Sequence, residues 1–239
     1  MWKDSIQHIV DWLKDQLEES GTNGFVLGLS GGLDSTVCAA LVRKATENCL
    51  GLILPIESDA KDLDDAANVA DLLHIKTQYI DLTAVYNNLM KMLPGGDRVS
   101  LGNIKARLRM LVLYYHANLH NYLVCGTGNK TEISLGYFTK YGDGACDILP
   151  IGDLYKGEVR ELARELNIPE SIIKKTPSAG LWSGQTDENE IGFSYEQMDN
   201  ALRKIEGDHV DDEATRKLSE VITTTAHKRE KPKIFRMRR

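Results

Sequence analysis

The chain has 239 residues, with 29 lysines and arginines against 35 aspartates and glutamates, a formal net charge of −6. Its 42% hydrophobic and 27% charged content excludes a disordered or fibrous protein, and a core of this size needs neither disulfide nor metal to hold it. No apolar run approaches the roughly 20 residues that span a bilayer, and the charged stretch MWKDSIQHIVDWLKDQLEES lacks the core of a signal peptide, so a cytoplasmic protein with no membrane partner is expected.

Trp2, Ile6, Ile9, Val10, Leu13 and Leu17 recur at helical spacing, which predicts an amphipathic helix ending near Gly21. FVLGLS (25–30) reads as a first strand entering a glycine pair, followed by a helix over 34–44. GLILP (51–55) is a second strand, a helix follows over 59–73, and TQYIDL (77–82) is a third strand. Residues 83–93 read as a helix closed by Pro94-Gly95-Gly96, and 102–120 as a longer one. Ile104, Leu108, Leu111, Val112 and Tyr115 fall on one face of that helix, a face expected in the core. NYLVCGTG (121–128) is a fourth strand running into a loop, and 140–190 reads as long loops around one helix at 156–166. Strands alternating with helices imply right-handed βαβ units: a single-domain α/β fold with a doubly wound, Rossmann-like parallel sheet. Ligands then bind beyond the strand C-termini, where the strand order reverses.

The four cysteines, Cys38, Cys49, Cys125 and Cys146, form no C-x-x-C pair and no zinc spacing, so they read as buried reduced thiols. From His227 onward HKREKPKIFRMRR carries a local charge of +6, leaving −12 for the rest. An acidic body argues against nucleic acid as a partner. The tail itself is open to phosphates, to a partner, or to fraying at 236–239.

Between the first strand and its helix lies Gly28-Leu29-Ser30-Gly31-Gly32-Leu33-Asp34-Ser35. Adjacent glycines let backbone N–H groups close on an anion, and the helix N-terminus adds its dipole. The loop is neither G-x-x-x-x-G-K-[ST] nor G-x-G-x-x-G. Asp34 suits a phosphate site when it holds Mg²⁺ against the phosphates; otherwise it is the N-cap of a plain βα turn.

S-G-G-x-D-S after a first strand resembles the PP-loop ATP pyrophosphatases, which have an adenine nucleotide alpha hydrolase-like fold. GNIKARLRM (102–110), GTGNKTE (126–132), GYFTKYGDGACDILP (136–150), LYKGEVRELA (154–163), PSAGLW (177–182) and HKR (227–229) narrow the resemblance to ammonia-dependent NAD synthetase over nearly the whole chain. It implies an ATP site built from Gly28 to Ser35 with Thr127, Lys156 and Ser178. It also implies Mg²⁺ on Asp34 and Glu132, the latter on the loop leaving the fourth strand. Deamido-NAD would meet Arg107, Lys140, Asp147, His227 and Lys228, and Asp143 would help position ammonia. Lys156 and Asp143 are the implied catalytic residues. Arg109, two residues from Arg107 and so on another helix face, is assigned to solvent or a dimer surface. Gly128, Lys130 and Ser178 depart from the usual residues of the family without removing a metal ligand or a lysine.

The implied reaction adenylates the nicotinate carboxylate of deamido-NAD with ATP, releases pyrophosphate, and replaces AMP with ammonia to give NAD. Water must be excluded, and 140–150 and 178–190 are the expected lids. A built-in glutaminase would need a longer chain and a nucleophile in the right setting, so one domain over 1–239, direct use of ammonia and a homodimer complete the implied picture. RNA-thiolating relatives would bring paired cysteines and a basic domain, and GMP- or asparagine-synthetase types a longer chain. A non-enzymatic nucleotide-binding module would need neither Glu132 nor Lys156.

Overall fold

The computed structural model describes residues 2–182 and 184–237. Helix α1 (Trp2–Ser20) leads to β1 (Gly24–Gly28), α2 (Leu33–Ala45), β2 (Cys49–Ile53), α3 (Ala60–Leu73) and β3 (Lys76–Tyr79). Helices α4 (Thr83–Met92) and α5 (Arg98–His120) precede β4 (Tyr122–Val124) and α6 (Lys130–Leu135). The chain continues through α7 (Lys156–Glu165), α8 (Glu170–Ile173), α9 (Asp187–Ile191), α10 (Tyr195–Glu206), α11 (Glu213–Thr224) and α12 (Ala226–Arg229).

The strands pair in the order β3-β2-β1-β4, all parallel, with Val26 of β1 in register with Leu50 of β2 and Val124 of β4. β1 and β2 are covered on both faces, and their successive side chains enter different cores. Phe25, Leu27, Cys49 and Ile53 pack with α1, α2, α3 and α7, whereas Val26, Leu50 and Leu52 pack with α4 and α5. β3 lies at one edge and is mostly exposed and polar, which blunts pairing with another chain. At the other edge Asp147 Oδ2 accepts the Val124 N–H at 2.7 Å, which docks residues 147–148 beside β4. Strands run outward from β1 to β3 and resume on β1's other side with β4. The switch point is therefore the crevice between the C-terminal ends of β1 and β4.

A third cluster, Leu135, Tyr155, Tyr195, Met198, Ala201, Leu202 and Leu218, joins α6 to α10 and α11. These two long C-terminal helices lie where sequence periodicity assigned no element. Short α6, α8 and α9 replace stretches expected as loop, and the third and fourth strands are shorter than expected, ending at Tyr79 and Val124. Leu111 and Tyr115, expected in the core, instead face outward at 61% exposure each, because only the Ile104, Leu108 and Val112 side of α5 meets the sheet. Of the basic tail, Arg229 is tied to the Ile222 carbonyl at 2.5 Å, while 231–237 form neither helix nor strand. Arg238 and Arg239, and Ser183 of the second expected lid, lie outside the described residues. Among the described residues no helix is long and apolar enough to cross a membrane.

One buried carboxylate ties the C-terminal cluster to the sheet. Asp199 of α10 accepts the Thr131 hydroxyl of α6 at 2.5 Å and the Gly157 N–H of α7 at 2.8 Å. Asp199→Ala removes both acceptors and leaves two donors without a partner, so urea unfolding should show a loss of about 3 kcal/mol.

Candidate functional site

A cleft of about 490 Å³ opens at the switch point, lined by the Gly28–Ser35 loop except Gly31, by the ends of β2 and β4, by the inner face of α5, and by 175–182. Gly31 is turned away from the cleft and allows the loop its shape. Its φ is +70°, and a Cβ there would sit 2.6 Å from Cβ of Asp65 on α3, so no side chain fits. Ser30 and Ser35 hydroxyls meet at 3.0 Å across the turn. Helix α2 is N-capped by Gly32 with no side-chain cap, so its first N–H groups are left for an anion. Asp34 is thus not the N-cap; it stands in the first turn and faces the cleft.

Three elements bring charge to this point. Lys156, the first residue of α7, is buried, and its ammonium bonds Asp34 Oδ2 and lies 3.5 Å from Glu132 Oε1. Glu132 is not on a loop: it is the N3 residue of α6, where Asn129 caps the helix and bonds back to it. Asn129 Nδ2 also donates to Asp34 Oδ1 at 3.4 Å. Burial alone would lower the Lys156 pKa, but the Asp34 and Glu132 charges outweigh it and hold it above the ordinary lysine value. Asp34 and Glu132 therefore share one cation with hard oxygen donors. That donor set suits Mg²⁺ completed by phosphate oxygens and water. Among the described residues no cluster of three ligating side chains forms a protein-only metal cage.

Sequence reasoning missed a set of residues around this pair. Tyr195 is buried beneath it, its hydroxyl 3.1 Å from Glu132 Oε1 and 2.8 Å from Asp187 Oδ2. Tyr137 bonds Asp187 Oδ1 at 3.1 Å and Glu190 at 2.5 Å. Burial raises the Asp187 pKa against the hydrogen bonds of both tyrosines. Lys175 pairs with Asp62 and Asp65 at the foot of the 176–182 stretch. Arg109 is not at a solvent or dimer surface: it lines the cleft, donates Nε to the Leu54 carbonyl at 3.0 Å, and has its pKa lowered by burial. One turn earlier Lys105, also buried, bonds Glu57 at 2.9 Å. Glu57 is held at φ 52°.

Other expected residues divide into two groups. Thr127, Ser178, Asp143 and Lys228 line the cleft with the loop, Lys156 and Glu132. Ser178 is exposed, its Oγ accepting the Gly180 N–H at 3.1 Å. Asp143 accepts the Thr139 N–H at 2.9 Å, and although the residue is exposed at the rim, atoms crowding its carboxyl raise its pKa. Lys228 donates to the carbonyls of Gly136 and Phe138. Arg107, Lys140 and His227 lie outside the cleft as a chain of contacts, Arg107 to the Lys140 carbonyl at 3.2 Å and the Lys140 ammonium to the His227 carbonyl. Asp147 is also outside it, with Tyr114 and the Val124 N–H on its two oxygens.

Comparison with known proteins identifies relatives over nearly the whole chain. The NAD synthase family model matches residues 5–232. An NH(3)-dependent NAD(+) synthetase of Carboxydothermus hydrogenoformans is 48% identical over 86% of this chain and 87% of its own. Among solved structures, an NMN synthetase from Francisella tularensis is 39% identical with a TM-score of 0.93, covering 99% of both chains. An NH3-dependent NAD synthetase from Campylobacter jejuni is 34% identical with a TM-score of 0.87, again over 99% of both.

Burial, offset by Lys156 and reinforced by Asp34 and Asp187, pushes the Glu132 pKa from its ordinary 4.5 up to about 7. The folded chain thus holds a proton there that the unfolded chain has released. The resulting stabilisation is complete below the unfolded value of 4.5 and is lost as pH rises through about 7. Glu132→Gln cannot titrate, so in metal-free buffer its melting temperature relative to wild type should climb across that window. A difference that stays flat would contradict the raised carboxyl.

Proposed function

The chain belongs to the NAD synthase family, and from that premise we propose that it amidates deamido-NAD to NAD with ammonia, at the expense of ATP. The observation that carries the reading is the buried Lys156 between half-buried Asp34 and Glu132, at the foot of a glycine loop and a helix N-terminus. This arrangement binds polyphosphate and offsets the charge of a departing one.

In this reading the α2 N-terminus and the Ser30 and Ser35 hydroxyls take ATP phosphates, with Thr127 and Ser178 on the nucleotide. Asp34 and Glu132 hold Mg²⁺, which supplies charge neutralisation on the polyphosphate when bound. The nicotinate carboxylate bonds to the α-phosphorus and the bond to pyrophosphate breaks, with Lys156 freed from Asp34 to meet the charge that develops. Ammonia, positioned by Asp143, then forms the amide carbon–nitrogen bond as the bond to AMP breaks. The carboxylate needs no further activation, so positioning carries much of the rate. The 178–190 stretch, held through Gln185, Asp187 and Glu190, keeps water from the adenylate.

Lys228 at the cleft and Arg107, Lys140 and His227 outside it take the dinucleotide, with Asp147, held by Tyr114 and the Val124 N–H, assigned to the same ligand. Arg107 heads the exposed row Arg107, Leu111, Tyr115, Leu119 along α5. A second copy covering this apolar row would place the dinucleotide site at its border, so a homodimer belongs to the reading. Leu111→Lys should shift the sedimentation coefficient from dimer to monomer. A wild-type monomer at micromolar concentration would overturn that assignment.

In this reading the enzyme works in the cytoplasm and takes its nitrogen from free ammonia. Purified protein should form NAD from deamido-NAD, ATP and ammonium, and glutamine should not replace ammonium. Asp34→Asn and Glu132→Gln should each lower turnover by about 100-fold or more in a chain that stays folded. The Francisella tularensis likeness favours one second reading, amidation of the mononucleotide. Equal kcat/KM for nicotinate mononucleotide and deamido-NAD would support it.

A further inference from the structure

Tyr195 reaches three charged groups of the polyphosphate end: Glu132, Asp187 and Lys156. It is 1% exposed, its hydroxyl contacts both Glu132 and Asp187, and its ring lies 4.8 Å from the Lys156 ammonium. Glu132 Oε2 accepts the Asn129 N–H at 3.4 Å, while Oε1 is shared by the Tyr195 hydroxyl at 3.1 Å and the Lys156 ammonium at 3.5 Å. Once Lys156 moves to a ligand, the phenol is the group that still holds Oε1.

Asp187 does two jobs at once. Its backbone N–H donates to the Pro177 carbonyl at 3.2 Å, closing the base of the stretch that crosses the cleft. Its side chain meanwhile accepts the Tyr195 and Tyr137 hydroxyls. Within that stretch Gln185 accepts the Leu181 N–H at 2.8 Å and donates to Glu190 at 2.7 Å. The covering segment and the cation-binding carboxylate are thus joined through one phenol.

We propose that Tyr195 and Asp187 are positioning residues for the cation site. The phenol fixes the Glu132 carboxylate for Mg²⁺, and Asp187 ties that orientation to the seating of the Pro177 side of the cleft. The inference rests on the proposed function for its cation, and it adds that metal occupancy and cleft closure are one event. Neither residue touches substrate in this scheme; both act through Glu132. Tyr195→Phe keeps the ring against Lys156 and removes only the hydroxyl, while Asp187→Asn keeps the shape and removes the charge.

Three measurements test it. Outer-sphere partners of metal ligands change metal affinity by about 10–100-fold. Both variants should therefore need about 10-fold more Mg²⁺ for half-maximal pyrophosphate release, with turnover at saturating Mg²⁺ falling by less. Mn²⁺ binding in the presence of a non-hydrolysable ATP analogue, read by electron paramagnetic resonance without turnover, should weaken by the same factor. With Trp2 and Trp12 replaced by Phe, Trp182 reports the covering stretch, and its emission change with analogue and Mn²⁺ should move to the weaker Mn²⁺ range in Asp187→Asn. Unchanged Mn²⁺ affinity in both variants overturns the positioning role. Weakened Mn²⁺ binding with an unmoved Trp182 response overturns the coupling. Should Tyr195→Phe not fold, Asp187→Asn decides alone. A wild-type chain that releases no pyrophosphate with deamido-NAD sinks the proposed function instead, and the Mn²⁺ and Trp182 arms still decide this inference.

Discussion

A lysine ammonium removed from water is costly unless opposite charge surrounds it, and the burial of Lys156 is the constraint to which the rest of this molecule answers. Two carboxylates from different helices must arrive at one place: Asp34 on α2 and Glu132 on α6. The α2 N-terminus can present Asp34 only because the preceding loop turns through Gly31 against the backbone of α3. α6 can present Glu132 only because Asn129 caps it, and α7 begins where Asp199 and Thr131 hold its first N–H groups. The ammonium and its two carboxylates are thus held against one another by three separate helices.

The features legible in the sequence were those encoded locally. The β1–α2 loop announces itself by its glycines and by the apolar run before it, and the four strands by runs too short and too apolar for helices. Helix α6 has six residues, too few for a periodicity. Its one available signal was the Asn129-x-x-Glu132 capping box, and Ser194-x-x-Gln197 and Asp212-x-x-Thr215 mark α10 and α11 in the same way. Arg107 and Arg109 were correctly placed on different faces of α5, but which face meets the cleft depends on how the helix lies on the sheet, and no spacing reveals that. Tyr137, Asp187 and Tyr195 meet Glu132 only through packing of the third cluster, with Tyr137 and Asp187 separated by 50 residues and Glu132 and Tyr195 by 63. Only a folded chain shows such a constellation.

Family membership and geometry divide the explanation between them. The family relationship identifies the chemistry, and the proposed roles draw on what these residue types can supply: hard oxygen donors for a hard cation, a helix N-terminus for anions, a buried lysine for charge released at departure. Leu111 and Tyr115, which the periodicity assigned to the core, instead stand exposed in the row Arg107, Leu111, Tyr115, Leu119.

Helix α5 carries that exposed row on one side and Lys105 and Arg109 on the other, where they grip Glu57 and the Leu54 carbonyl. Segment 54–57 is irregular in backbone yet is held like part of a helix, pinned at two points one turn apart on a rigid rod. Surface loops ordinarily drift in sequence and length between relatives because nothing distant depends on them. This one cannot lengthen without breaking its match to the 3.6-residue pitch of its neighbour, so the helical repeat, rather than any contact with ligand, sets how far evolution or an engineer can remodel this wall of the cleft.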